Sequence, residues 1–130
     1  MNELSLVKEL VKLMRFHLPG FVIFRIEEKV VSGIPDIIIT GNGKTSFIEC
    51  KFGNPDFKSK GLQEYNMNKL AVGGSAFYVV YILDNIDRRW TYIVSPKDIG
   101  LVPGQWSLYE NGFSHKFVID YVKEIHDHNG

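Results

Sequence analysis

Between Gly33 and Lys51 the chain reads GIPDIIITGNGKTSFIECK. Two apolar, largely β-branched runs flank Gly41-Asn42-Gly43, a strong short-range signal for antiparallel strands joined by a tight turn. A chain built around this hairpin folds around a sheet. The same stretch raises a question of charge. Asp36 opens the run Ile37-Ile38-Ile39, and Glu49 and Lys51 bracket Cys50. Charged groups in such strands are costly unless they are paired or bind a metal.

Strand geometry sharpens the question. Alternation puts Glu49 and Lys51 on one face, with Ile48, Cys50 and Phe52 on the other. The 12 residues between Asp36 and Glu49 fit two strands folded about the Gly-Asn-Gly turn, which brings the two carboxylates close together. Two such carboxylates would ordinarily share a proton. A hard divalent cation removes the conflict, and oxygen donors suit magnesium or manganese. Lys51 is then placed to donate to an attacking water or to a phosphate oxygen. Acid, acid and lysine on one sheet face equip a protein for phosphodiester hydrolysis. Of Cys50, only the backbone carbonyl is a candidate metal ligand, because the thiol side faces the core.

The remaining pattern supplies the surrounding elements. Apolar residues at 4, 7, 10, 11, 14 and 18 have the spacing of one helix face, and Pro19-Gly20 stops that helix. Phe21 to Ile26 reads as a strand, Ser32-Gly33 as a turn, Asp36 to Thr40 and Thr45 to Phe52 as the hairpin strands. A second helix is expected from about Ser59 to Val72, ended by Gly73-Gly74, then strands at Ala76 to Leu83 and Arg88 to Val94. Beyond Ser95 the signal weakens. Asn111-Gly112 suggests a small hairpin, and Val118 to Ile125 reads equally as strand or short helix. The order α-β-β-β-α-β describes an α/β fold, a mixed central sheet flanked by helices.

Bulk properties set limits. At 130 residues the chain suits one domain with a real hydrophobic core, and no apolar run approaches a membrane span. The first residues, MNELSLVKELVK, mix acids with lysines and lack a signal peptide's cleavage site. A single cysteine excludes an internal disulfide and makes a cytoplasmic setting the plain reading. Net charge is zero, so a nucleic-acid partner would have to be held by a local patch. His115, His126 and His128 lack ligand spacing with a cysteine or acid, and the last two fall in a polar tail.

Pro35-Asp36, twelve residues, then Glu49-Cys50-Lys51 resembles the PD-(D/E)XK nuclease signature, and the element order resembles that superfamily's restriction-endonuclease-like core. The resemblance covers roughly residues 3 to 83. Gly33-Ile34-Pro35-Asp36, the Gln63 helix and Gly73-Gly74 look like the VRR-NUC branch, while Asn42-Gly43-Lys44 and Trp90 to Pro96 are similar to Holliday-junction resolvases. It implies a nuclease domain with its core at about 3–95 and an extension over 96–130. The activity implied is a magnesium- or manganese-dependent DNA endonuclease of recombination and repair. Asp36, Glu49 and the Cys50 carbonyl would hold metal, with Lys51 beside them. It further implies an acid on the first helix and a glutamine on the second. Helical phase selects Glu3 over Glu9, since Glu3 lies within the stripe of Val7, Leu10, Val11 and Met14 while Glu9 lies nearly opposite. Gln63 fits the second position. Lys58 and Lys60 precede that helix where a strand's phosphates would pass.

Three readings follow. One is a branched-DNA endonuclease, the second a flap- or nick-cutting enzyme, the third a non-catalytic DNA- or protein-binding module with the same fold. A junction resolvase would act as a homodimer. Leu101, Val102, Trp106, Leu108, Tyr109, Phe113 and Phe117 could form the interface core or cover the sheet within one chain.

Overall fold

The computed structural model describes residues 2–27, 34–58, 61–73 and 75–127, the side chains of 61–64 and 73 excepted. Helix α1 spans Glu3–His17. Its start is set by Asn2, whose Oδ1 accepts the Ser5 N–H at 2.9 Å while Ser5 Oγ accepts the Asn2 N–H at 3.2 Å. This reciprocal cap satisfies backbone donors that the first turn would otherwise leave open, and so defines the turn that carries Glu3. Strands β1 (Val22–Arg25), β2 (Ile37–Gly41) and β3 (Lys44–Gly53) follow, then helix α2 (Gly61–Gly73). Strands β4 (Ser75–Leu83), β5 (Arg89–Val94) and β6 (Tyr109–Asn111) precede helix α3 (His115–His126).

The six strands form one mixed sheet in chain order, β1-β2-β3-β4-β5-β6, flanked by helices. Neighbours pair antiparallel except β3 and β4, which run parallel because α2 carries the chain back between them. The β2–β3 turn is closed by Asn42 (φ 55°) and Gly43 (φ 77°), both left-handed, the geometry that suits a two-residue hairpin. It fixes the register Ile37↔Ile48 through Gly41↔Lys44. One residue of slip would send Glu49 to the opposite face.

Each sheet face has its own core. On one side, Leu6, Leu10 and Met14 of α1 and Val118, Ile119 and Val122 of α3 pack on Ile37, Ile39, Ile48, Cys50 and Val79. On the other, Met67 of α2 packs with Tyr78, Val80, Ile82, Val94, Ile99 and Trp106. Among the described residues no helix is long and apolar enough to cross a membrane.

Beyond Ser95 the structure departs from two sequence expectations. Asn111-Gly112 does not turn a hairpin. Asn111 ends β6, opposite Trp90, and Gly112 (φ 82°) donates to the Arg89 carbonyl at 2.7 Å as the chain turns into α3. Nor does His126 belong to a polar tail: it is fully buried at the end of α3, hydrogen-bonded to Ser46 Oγ at 2.7 Å. The 118–125 stretch is helix, since Val118, Ile119 and Val122 share a buried face only at helical spacing. Of the seven apolar residues proposed as an interface core, Trp106 is buried and Phe113 and Phe117 pack on the core. Leu101, Val102, Leu108 and Tyr109 stay exposed. The Ser32-Gly33 turn and the start of the second helix at 59–60 lie outside the described residues.

Candidate active site

The candidate site lies where β1 and β2 reach the end of their ladder. Asp36 directly precedes β2, whose register with β3 ends at Ile37↔Ile48, and it hydrogen-bonds to the residues on either side of Glu49. The ladder is irregular at this point. The Asp36 N–H donates to the Ile48 carbonyl at 3.0 Å, and Asp36 Oδ2 accepts the Cys50 N–H at 2.7 Å. The carboxylate thus stands in for a backbone acceptor, and the hydrogen bond fixes its direction. On the β1 side, Ile26 N–H donates to the Asp36 carbonyl at 2.8 Å. Pro35 precedes Asp36 and is itself buried.

Glu49 occupies the middle of β3 with only 2% of its surface exposed. Lys51, two residues on and on the same face, brings Nζ to 3.6 Å from Glu49 Oε2. An unpaired carboxylate at that depth would cost several kcal/mol, so a cation close by is a condition of folding with Glu49 ionised. The contact is longer than a tight ion pair. Cys50 points its thiol into the α1/α3 core and is fully buried, which leaves its carbonyl as its only group suited to a hard cation.

Helix α1 adds the third acid. Glu3, in its first turn, lines a cleft of about 270 Å³ with Asp36, Arg25, Ile26, Glu27, Leu4 and Val7. Glu9 is turned away, 63% exposed, with Oε2 3.7 Å from His115 Nε2. The phase argument for Glu3 over Glu9 agrees with this placement. Arg25 was not among the sequence candidates. Its side chain is 16% exposed and its Nη1 meets Glu27 Oε1 at 2.9 Å beside the acids. The signal that could have found it is the one that singled out Glu49, a charge inside an apolar strand, here Val22-Ile23-Phe24-Arg25-Ile26.

The remaining candidates are placed less closely. Gln63 falls in the first turns of α2, its side chain outside the described residues, and Lys60 lies outside them altogether. Lys58 is exposed after β3. His128 is also outside the described residues, while His115 and His126 serve hydrogen bonds in the fold.

The candidate donors are the Asp36 and Glu49 carboxylates and the Cys50 carbonyl, with Glu3 on the cleft that Asp36 lines. Among the described residues no three His, Cys, Asp or Glu side chains cluster tightly enough to enclose a metal. Hard oxygen donors few in number fit magnesium, which keeps several of its own waters, better than they fit zinc.

No protein-family model matches the chain, and no curated protein matches it. Among solved structures, one that resembles it is Hjc, a Holliday junction resolvase from the archaeal hyperthermophile Archaeoglobus fulgidus. The two are 14% identical with a TM-score of 0.48, over 92% of this chain and 98% of that one.

Proposed function

We propose that the chain is a divalent-metal-dependent DNA endonuclease of the PD-(D/E)XK type that cuts branched DNA. One observation supports the reading: Asp36 hydrogen-bonds to β3 next to Glu49, which Lys51 approaches at 3.6 Å, and Asp36 shares a cleft with Glu3 of α1. A protein that only binds gains nothing from a buried carboxylate that needs its own lysine. In this reading Asp36, Glu49 and the Cys50 carbonyl hold magnesium or manganese, and Glu3 completes the acidic wall. When bound, the cation supplies activation of water and stabilisation of the phosphate's developing charge. Lys51 orients the attacking water and offsets that charge, worth about 10²–10³-fold by comparison with other electrostatic groups. Gln63 positions the site from α2, and Lys58 and Lys60 contact phosphates. The water oxygen bonds to phosphorus and gives up a proton to solvent, the bond to the leaving sugar oxygen breaks, and that oxygen takes up a proton from solvent. Paired cuts across a four-way junction require two such sites about a two-fold axis, so the proposed assembly is a homodimer.

The test is a cleavage panel of labelled single-stranded, duplex, flap, nicked and four-way DNA in magnesium and in manganese, run beside Asp36→Asn. Metal-dependent cutting of four-way DNA above duplex, absent in Asp36→Asn, supports the proposal. Preference for flap or nicked DNA by a monomer in sedimentation favours the VRR-NUC-like alternative. Binding without cutting in either metal would leave only the binding module.

A further inference from the structure

We propose that Lys8, Lys12 and Arg15 on the outer flank of α1 form a backbone-binding track for one arm of the DNA, leading away from the cleft. The inference rests on the endonuclease reading for its ligand, and on geometry for its place. At 100° per residue, Arg15, Lys8 and Lys12 fall within an arc of about 60° on the helix. All three are exposed. Lys8 follows Val7, which lines the same cleft as Asp36 and Glu3. Seven residues further on, about 10 Å along the axis, Arg15 Nη2 donates to the Ile23 carbonyl at 3.1 Å. That bond pins the far end of the stripe over β1, at the edge of the sheet. A strand of duplex presents a phosphate every 3.4 Å of axis, so the stripe spans about three phosphates.

Charge balance around the cleft supports the assignment. A DNA backbone approaching Glu3, Glu27 and Asp36 meets a cleft lined by acids, and a chain of zero net charge has no global attraction to offset it. Local cations must do so. Arg25, Lys51, Arg88 and Lys116 are each paired with an acid. Lys8 and Lys12 have no ion-pair partner among the described residues, and the helix's other acid, Glu9, reaches instead toward His115. Lys44, Lys58, Lys69, Arg89, Lys97 and Lys123 also have no acid partner there, but all lie outside α1.

The experiment measures binding of labelled duplex and four-way DNA in calcium, between about 50 and 200 mM salt, where ionic contacts dominate affinity. Lys8→Ala/Lys12→Ala should weaken binding tenfold or more at the low-salt end. It should also reduce the slope of log K against log salt by about 1.8, which is 0.9 for each of two lost contacts. Lys8→Gln/Lys12→Gln, which keeps helix propensity, should behave alike, with melting temperatures unchanged for both. Lys97→Ala/Lys123→Ala should leave slope and affinity at wild type. An unchanged slope in the α1 variants, an equal loss in the Lys97/Lys123 control, or no DNA binding by the wild-type protein would overturn the track. Asp36→Asn separates the two readings: continued cutting by that variant would sink the assigned active site while leaving the slope comparison to judge α1.

Discussion

Strand β3 carries two buried polar residues three positions apart, on opposite faces, and they are treated in opposite ways. Ser46 is fully buried and neutral, and His126 meets it with Nε2 at 2.7 Å while His126 Nδ1 lies 3.0 Å from the Gly41 carbonyl. One imidazole thereby fastens the end of α3 to the β2–β3 turn, with Phe21 against its ring and Lys44 donating to Ile125 alongside. Neutral groups in short hydrogen bonds are inexpensive to bury once satisfied. Glu49, by contrast, is a carboxylate held in the sheet by a lysine at 3.6 Å. A fold seeking only stability would do as well with an apolar residue there. The first arrangement is what a sheet needs to keep its helix. The second makes sense as equipment for chemistry.

The comparison breaks most visibly in activity. Asp36→Asn, Glu49→Gln and Lys51→Ala should each abolish cleavage; circular dichroism and melting should show an intact fold for the two carboxylate variants, and a lowered melting temperature for Lys51→Ala, which strands the buried Glu49 carboxylate. Glu49→Gln should melt at or above the wild-type temperature, since it removes a buried charge. Any one of these cutting within tenfold of wild type would mean the site is misassigned.

At the other end of β3 the pattern should invert. His126→Ala removes a buried ring and strands the Ser46 hydroxyl, so a loss of about 2–4 kcal/mol is expected. Ser46→Ala should cost about 1–2 kcal/mol. Urea titration reads both, and the cleavage rate per folded molecule should stay at wild type. A His126→Ala protein as stable as wild type would show that α3 is held by its apolar face alone.

A smaller contrast lies within α1. Glu3→Gln should lower activity well beyond Glu9→Gln, because Glu3 shares a cleft with Asp36 while Glu9 stands 63% exposed near His115. Matched single-turnover rates give the ranking, and its reversal would move the third acid to Glu9.

The smallest effect concerns pH. Burial pushes the His115 imidazole below its ordinary value of 6.5, with the Glu9 carboxylate pulling partly the other way. Below that pH the unfolded chain takes up a proton more readily than the folded one. The stability His115 contributes is therefore complete above about pH 6.5 and is lost as pH falls through the depressed folded value. The slope cannot exceed about 1.4 kcal/mol per pH unit for one proton. His115→Gln should flatten the urea midpoint over that acid range, and an unchanged profile would show that His115 titrates alike in both states.

Asp36, Glu49 and Lys51 were legible in the chain because charge inside an apolar run is conspicuous and the Gly41-Asn42-Gly43 turn dictates register. Glu3 was legible because helical phase needs only a periodic stripe. The same local logic accounts for α1, the five strands through Val94 and α2. Arg25 was passed over, although it too is a charge in an apolar strand, because its value comes from the Asp36 side of the cleft and not from its own neighbours. His126 could not be placed from its surroundings in sequence, since its partners Ser46 and Gly41 are about eighty residues away. The C-terminal region was ambiguous for a related reason. Strand β6 is three residues long and exists through pairing with β5, and Val118 to Ile125 has apolar residues enough for either regular structure. Periodicity and turn chemistry are short-range, so the sequence by itself determined the elements, the hairpin register and the trio of charged residues. Which helix covers which face, which flank of α1 stays open, and which histidine is buried depend on contacts between distant segments. Those were decided only when the sheet closed between its two layers of helix.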